Sequence, residues 1–342
     1  MTAAPAFWWR PRPGGAALAL WPASRIWGQM SAWRMAKSPR FRPPVPVICV
    51  GNFVVGGAGK TPTALALARI ARRQGLKPGF LARGYGGSEK GPLLVDPGSH
   101  TAEAIGDEPL LLAEAGPTVI GRDRSASARI LLDQGVTAII MDDGFQNPTL
   151  AKDVSFACVD AGAGIGNGMM IPSGPLRAPL DLQLRRADAL IVIGEGGMAE
   201  PLIRAAARGG RPVLRASLKP VRVRDWRKTP ILAFAGIGRP GKFFESLAAI
   251  GAPVEETIAF PDHHQFTDAD AARLLARSEK DGLRLVTTEK DLVRLKGATG
   301  AAAELRERAE AFPVVLDFEN PAGVEEMMRD AVRLAVPVAA LP

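Results

Sequence analysis

Apolar residues fall along this chain in short unbroken runs rather than in alternation. The stretches "VPVICVGN" (45–52), "PGFLARGYGG" (78–87), "GPTVIG" (116–121), "VTAIIMDD" (136–143), "VSFACVDA" (154–161) and "ADALIVIG" (187–194) have centres that are apolar at odd and even positions alike. A strand wetted on one face alternates, whereas a strand covered on both faces does not. Segments of helical length separate the runs, the clearest at 60–74. Alternating strand and helix predicts a mostly parallel sheet with helices on both faces. The stretch "SLKPVRVRDWRK" (217–228) is charged and reads as a connector. A second strand–loop–helix series starts at "TPILAFAGIGRPGKFFESL" (229–247) and continues through "LRLVTTEKD" and "FPVVLDF". The expected organisation is an N-terminal segment at 1–42, a larger α/β domain at 43–218, and a smaller α/β domain with its connector at 219–342.

Composition adds one strong asymmetry. A chain of 342 residues, 47% hydrophobic and 23% charged, is a folded globular protein with room for two domains. Its net charge of +8 is unevenly spread: residues 1–88 hold 13 Lys/Arg and no acid, while the remainder holds 30 basic and 35 acidic residues. A basic end on an acidic body points to an anionic partner. Five of the six tryptophans (Trp8, Trp9, Trp21, Trp27, Trp33) lie in that same end. Tryptophan settles at the level of lipid headgroups. On a helical wheel Ile26, Trp27, Met30 and Trp33 share an arc of roughly 120°, with Arg25 and Gln29 facing away. Arg34 and Lys37 close the segment, where long stems reach phosphates. No window holds the ~20 apolar residues that span a bilayer, and "RPRPGG" interrupts any apolar core of a cleavable leader. Residues 1–42 therefore read as an interfacial segment lying on an anionic membrane; the alternative is an amphipathic helix packed on its own domain. Cys49 and Cys158 sit inside apolar runs and read as buried free thiols.

The chemistry starts at "GNFVVGGAGKTP" (51–62), between a predicted strand and a predicted helix. Glycines let backbone N–H groups converge on phosphate oxygens, and the helix N-terminus adds partial positive charge. Gly56, Gly57, Ala58 and Gly59 would form the cradle, Lys60 would neutralise the β/γ-phosphates, and Thr61 would offer a hydroxyl to Mg²⁺. Pro62 suits the first helical turn. The usual phosphate loop begins with glycine where Val54 stands; the turn is then left to Gly51-Asn52 or to Gly56. Asp142 and Asp143 end a buried run and supply carboxylates for the metal. In "GDEP", Asp107 and Glu108 precede Pro109, and taken alone read as helix capping. His263 and His264, in "FPDHHQF", follow Asp262, which could orient an imidazole. "TTEKD" (287–291) reads as a structural helix start with Thr288 as its cap.

Taken in order, "GNFVVGGAGKTP", "RGYGG", "GDEP", "DDGFQ", "PSGPLRAP", "FPDHHQF" and "TTEKD" resemble the tetraacyldisaccharide 4'-kinases of lipid A synthesis, over most of the chain. Each motif is weak and the ordered set is specific. The resemblance implies a P-loop NTPase-like domain, a smaller C-terminal α/β domain and a membrane-surface helix. It also implies ATP and Mg²⁺, a lipid A disaccharide precursor as acceptor, and residence at the cytoplasmic face of the inner membrane. Lys60 and Thr61 match the family's phosphate-loop lysine and metal-binding threonine, and Asp142 and Asp143 its acidic pair. Gln146 lies in the same motif and is assigned to the nucleotide. Asp107 matches the acid proposed as general base and His263 the histidine paired with it, so the two domains would close to complete the site. Arg83 and Arg177 match arginines near the cleft. The family tolerates a residue other than glycine at Val54, but it often carries Glu where Ala178 stands, so that side chain's contacts are lost or replaced.

A membrane-associated P-loop ATPase switch of the partition type is the competing function. Such proteins often carry a lysine before the Gly-Gly pair, where this chain has Val55. Nucleic-acid binding is excluded as a main role, because the tryptophans beside the basic charge belong to no aromatic-rich sheet motif.

Overall fold

The computed structural model describes residues 4–221 and 225–335, so the centre of the predicted connector and both chain ends lie outside the described residues. The predicted runs become strands: β1 (Val47–Asn52), β2 (Pro78–Ala82), β3 (Leu93–Leu94), β4 (Thr118–Ile120), β5 (Ala138–Asp142), β6 (Val154–Asp160), β7 (Ala189–Ile193) and β8 (Val213–Pro220). Four more follow in the second series, β9 (Ile231–Ala235), β10 (Val254–Ala259), β11 (Arg284–Thr288) and β12 (Glu310–Phe312), and then β13 (Val314–Phe318). Two sheets result among the described residues, one ordered β13-β8-β7-β6-β1-β5-β2-β4-β3 and one ordered β10-β9-β11-β12. Pairings are parallel except at the two edges of the large sheet, where β3 meets β4 and β13 meets β8 antiparallel.

The unbroken apolar pattern has the expected cause. Every residue of β1, β2, β5 and β7 is buried, because helices cover both faces. The helix Lys60–Arg73 turns Ala64, Leu67, Ala68 and Ala71 onto one face of the sheet. The helix Arg124–Asp133 covers the other with Ala128 and Leu131. Cys49 and Cys158 lie within these layers, and burial pushes their thiols up to about 11 and about 12, as structural thiols should be.

The domain boundary expected at 219 is corrected at the C-terminal end. Of "FPVVLDF" only Phe312, the end of β12, belongs to the second sheet: β13 returns to pair with β8 from Val314↔Pro220 to Phe318↔Ala216. The helix Pro321–Ala335 then packs Val324, Met328 and Ala331 into the core of the large sheet. An apolar strand carries no mark of which sheet it joins, so sequence order assigned it to the nearer one. The first third of the "connector" is likewise strand, since β8 runs to Pro220. The smaller domain is thus an insertion hung on the paired strands β8 and β13.

The N-terminal segment forms a helix at Trp21–Met35. Its buried residues are small or terminal, namely Ser24, Gly28 and Met35, and a side chain at Gly28 would collide with Met170. Its large apolar residues point away: Ile26 and Met30 are 61% exposed and Trp33 is 68% exposed. The helix packs on its own domain through a narrow seam, as the alternative reading expected, while its apolar arc stays uncovered. No helix among the described residues is long and apolar enough to cross a membrane.

Candidate active site at the domain junction

The phosphate loop is shaped by Gly56 and Gly59, whose φ angles of 106° and 75° fall in the left-handed region. Gly51 and Asn52 do not make the turn; they end β1. Glycine is needed at 51 for a different reason, since a Cβ there would collide with Phe145. Val54 is accommodated because the chain there is strand-like. Val54 bridges Leu176 antiparallel, and Val55 N–H donates to the Pro175 carbonyl at 2.9 Å. The loop is therefore buttressed by the "PSGPLRAP" segment, in which Arg177 Nε donates to the Val54 carbonyl at 2.9 Å.

Lys60 opens the helix behind the loop, with Nζ 3.4 Å from the Gly56 carbonyl oxygen and 3.9 Å from Asp143 Oδ1. Thr61 Oγ1 donates to Asp142 Oδ2 at 2.9 Å. The two aspartates, equivalent in sequence, are electrostatically opposite. Burial drives Asp142 up to about 7, helped by Glu108 and Asp143 and opposed by Lys60 and the Thr61 hydroxyl. For Asp143 burial also raises the pKa, but Arg177 at 2.6 Å and Lys60 outweigh it and hold the carboxyl well below the usual range. Asp143 adopts φ 55°, which turns it toward that arginine.

Asp142 Oδ1 is buried without a hydrogen-bond partner. A buried carboxylate oxygen left unpaired, beside a hydroxyl oxygen, is a hard-donor set that fits Mg²⁺. Among the described residues no cluster of three His, Cys, Asp or Glu could hold a metal. Two protein ligands suffice for an ion whose remaining positions go to phosphate oxygens and water.

On the second domain, His263 and His264 separate cleanly. His264 Nε2 lies 3.0 Å from Asp270 Oδ2, and its ring stacks on Phe260 at 4.7 Å, which makes it a packing residue. His263, at φ 57°, turns the other way and brings Nδ1 to 3.3 Å from Asp107 Oδ2. Asp107 is buried, and its Oδ1 accepts the Glu108 N–H at 2.9 Å. Its hydrogen bond to Asp107, above all, lifts the His263 pKa. Burial raises the Asp107 pKa, yet the His263 hydrogen bond and the Lys290 and Arg294 charges prevail and hold it well below the carboxylate range.

Two residues of this junction were not singled out in the sequence. Arg294, whose side chain is 1% exposed, donates Nε to Asp107 Oδ2 at 2.9 Å, and its Nη2 makes a short contact to the same oxygen. The same guanidinium donates Nη1 to Asp291 Oδ1 and to the Gly236 carbonyl, each at 2.6 Å. Lys290 Nζ pairs with Glu108 Oε1 at 2.7 Å. A signal existed: Lys290 and Arg294 lie four apart, on one face of the helix Glu289–Arg294, and like charges so spaced need facing acids. "TTEKD" does start this helix, with Thr288 Oγ1 accepting the Asp291 N–H at 3.2 Å.

The remaining predicted residues are mostly braces. Gln146 Nε2 donates to the Asn52 carbonyl at 2.7 Å and to Gln183 Oε1 at 2.9 Å. Those bonds support the loop's base. Arg177 is bound to Val54 and Asp143 as described. Arg83 is exposed, and no hydrogen bond among the described residues holds it. Ala178 is fully buried, and its carbonyl accepts Gln183 Nε2 at 2.8 Å, so the space around it is closed by an amide that pairs with Gln146.

The chain that carries this site is similar to known proteins along nearly its whole length. The family model for tetraacyldisaccharide-1-P 4'-kinase, LpxK, matches residues 16–333. The chain belongs to the tetraacyldisaccharide 4'-kinase family. A tetraacyldisaccharide 4'-kinase from Methylobacterium nodulans is 52% identical over 320 residues, covering 93% of this chain and 92% of the relative. One from Rhizobium meliloti is 47% identical over 332 residues, covering 97% and 96%. The crystal structure of an "apo" form LpxK from Aquifex aeolicus in complex with ATP superposes with a TM-score of 0.72 at 26% identity, covering 92% of this chain and 99% of that one. The P-loop kinase fold and the enzyme class read from the motifs are thereby borne out.

Two outcomes follow from the site's electrostatics. Asp142 ionises near 4 when unfolded and near 7 when folded without metal. Between those values the folded state holds a proton that the unfolded state releases, so this group costs stability as pH rises. Asp142→Asn should therefore raise the melting temperature of metal-free protein at pH 8 and remove any stabilisation by added Mg²⁺, read by calorimetry; an unchanged Mg²⁺ response would argue against Asp142 as ligand. Arg294→Met leaves Asp107 and Asp291 buried with one fewer partner. It should cost about 3–5 kcal/mol in urea unfolding, and a loss below ~1 kcal/mol would mean the pair behaves as a surface one.

Proposed function

We propose that this kinase transfers the γ-phosphate of ATP to the 4'-hydroxyl of a tetraacyldisaccharide 1-phosphate at a membrane surface. The observation that carries the reading is the meeting of Asp107 with His263 across the domain junction, beside Lys60, Thr61 and Asp142. The Lys60 charge helps, after Lys290, to lower the pKa of Glu108 against its burial, which ties the junction to the phosphate loop. ATP as donor is supported by the loop and by the ATP in the Aquifex relative.

In the mechanism, backbone N–H groups of residues 56–61 and the Lys60 ammonium bind and neutralise the transferring phosphates. Mg²⁺ held by Thr61 and Asp142 would supply further charge neutralisation at the phosphates. Asp143, locked to Arg177, keeps Lys60 directed at the loop. The acceptor proton goes to the dyad as a unit. Asp107 is too strongly held by Arg294 to be the better proton acceptor, so the proton comes to rest on His263, whose imidazolium Asp107 stabilises. Positioning outweighs base strength, because phosphoryl transfer is largely dissociative. Loss of the family's frequent Glu at Ala178 leaves this assignment intact, since Asp142 and Thr61 would hold the metal.

Membrane residence is supported by the uncovered arc of Ile26, Trp27, Met30 and Trp33. Lys37 sits 3.7 Å from the Trp33 ring centre, a cation among headgroup-level aromatics. The acceptor would then be taken from the membrane in which its acyl chains lie.

The direct test is transfer of labelled γ-phosphate to the disaccharide 1-phosphate, with Lys60→Ala as the inactive control. Steady release of free phosphate without acceptor would instead mark an ATPase switch. The dyad makes its own prediction. His263 must be neutral to accept a proton, and Asp107 raises its pKa, so activity should fall as pH drops through that raised value. Asp107→Asn should move the acidic limb to lower pH and lower kcat by about 100-fold; a limb that stays in place removes His263 from proton transfer. For the surface, Met30→Glu with Trp33→Glu should abolish most pelleting with anionic vesicles while ATP binding persists. Undiminished pelleting would rule out this face as the contact.

A further inference from the structure

One polar side chain breaks the apolar run of β1. The strand reads Val47, Ile48, Cys49, Val50, Gly51 and Asn52, all buried, and Asn52 is fully so. An apolar residue would pack there at less cost, because Asn52 Oδ1 has no hydrogen-bond partner among the described residues. A buried amide oxygen left unpaired destabilises the fold. The other end of the amide supplies the reason for it. Asn52 Nδ2 donates to the Gly56 carbonyl at 3.2 Å, across the first turn of the phosphate loop. The amide cannot be reversed, since its oxygen would then face that carbonyl. Lys60 Nζ approaches the same carbonyl oxygen at 3.4 Å. Side chains alternate along a strand, so Asn52 shares the sheet face of Val50, which belongs to the core beneath the helix that Lys60 opens.

The backbone of Asn52 is held as well. Its carbonyl accepts Gln146 Nε2 at 2.7 Å, and the same Gln146 nitrogen donates to Gln183 Oε1 at 2.9 Å. A chain of amides thus runs from the fully buried Gln183 to the first turn of the loop. It ends on the carbonyl that Lys60 touches. The Lys60 ammonium lies between two oxygens, the Gly56 carbonyl at 3.4 Å and Asp143 Oδ1 at 3.9 Å. Each is itself tethered, Asp143 by Arg177 at 2.6 Å and Gly56 by Asn52. A lysine is a point charge on a flexible stem, so its place is set by what the ammonium touches. That place matters, because a misplacement of about 1 Å costs about 100-fold in rate.

We propose that Asn52 is a positioning residue of the phosphate loop: its amide fixes the Gly56 carbonyl, and that carbonyl aims the Lys60 ammonium at the nucleotide phosphates. The inference rests on the reading of Lys60 as the lysine that neutralises those phosphates. The Gly56 carbonyl and the Gly57 N–H belong to one planar peptide and point opposite ways. The same bond therefore also turns the Gly57 N–H away from Asn52. An unpaired Oδ1 is the cost of placing a donor, rather than an apolar group, under the loop.

The test is a double-mutant cycle on the full chain in neutral detergent, read as thermal stabilisation by titrated Mg²⁺ and AMP-PNP. Lys60→Ala alone should weaken binding; an unchanged affinity would overturn the assignment of Lys60 to the phosphates, and this inference with it. Asn52→Leu, similar in size to the amide and without its donor, should weaken binding about tenfold. In the Lys60→Ala background the same substitution should weaken it only about threefold or less, the share of the Gly57 N–H. Equal losses in the two backgrounds would overturn the proposal while leaving Lys60 in place, because Asn52 would then only support the loop's backbone. Wild-type binding by Asn52→Leu would overturn it too. If Asn52→Leu does not fold, Asn52→Ser, too short to reach the Gly56 carbonyl, takes its place in the cycle. In turnover, the Asn52 variant that folds should lower kcat about tenfold and leave the KM for the lipid acceptor as it is. A change confined to that KM would overturn the link to Lys60.

Discussion

The structure turns on one buried guanidinium. Arg294 comes from the smaller domain and meets Asp107, from the larger domain, with both side chains buried. Removing an arginine and two carboxylates from water is expensive, and the cost is offset only when each charge is fully paired. The surrounding chain is arranged to do that. Asp291 and the Gly236 carbonyl take the donors that Asp107 does not, Lys290 pairs with Glu108, and Asp291 accepts the Gly236 N–H at 3.0 Å. His263 completes the cluster. The contact that joins the domains is thus also the contact that fixes the protonation state of the dyad.

A second division of labour follows from burial. Adjacent aspartates at the end of β5 would repel each other if both were free ions. Here Asp143 is neutralised by Arg177 and Lys60, while Asp142 is left with one oxygen unpaired and a raised pKa. The pair is better described as one carboxylate paired with Arg177 and Lys60 and one whose Oδ1 has no hydrogen-bond partner among the described residues. Opposite the dyad, Arg239 and Lys242 of the smaller domain reach Asp160 at the end of β6, at 2.8 and 2.7 Å. The two domains are therefore pinned by charge on both sides of the phosphate loop, a geometry that fits an enzyme whose site spans them.

The N-terminal helix shows why a basic, tryptophan-rich segment need not be buried to be ordered. Its seam against the body is made of small residues, and Trp27 Nε1 donates to the Arg177 carbonyl at 2.9 Å. That bond links the exposed arc to the segment that buttresses the phosphate loop. The exposed arc and the phosphate loop therefore share a brace, the segment around Arg177.

Much of this was legible in the chain. Runs apolar at every position gave a sheet covered on both faces because side chains alternate sides along a strand. Glycines before Lys60 gave a phosphate loop because only they reach φ of 106° and 75° without strain. Ordered motifs gave the family. What remained hidden depends on pairing at a distance. No local pattern tells β13 to leave the smaller domain and join β8, or tells His263 from His264, or assigns Arg177 to one of two neighbouring aspartates. Sequence determined which groups are present and which segments they ride on, since those follow from residue type and periodicity. Tertiary structure alone decided which charges meet in the junction, because pairing there depends on chain segments 187 residues apart arriving at the same carboxylate.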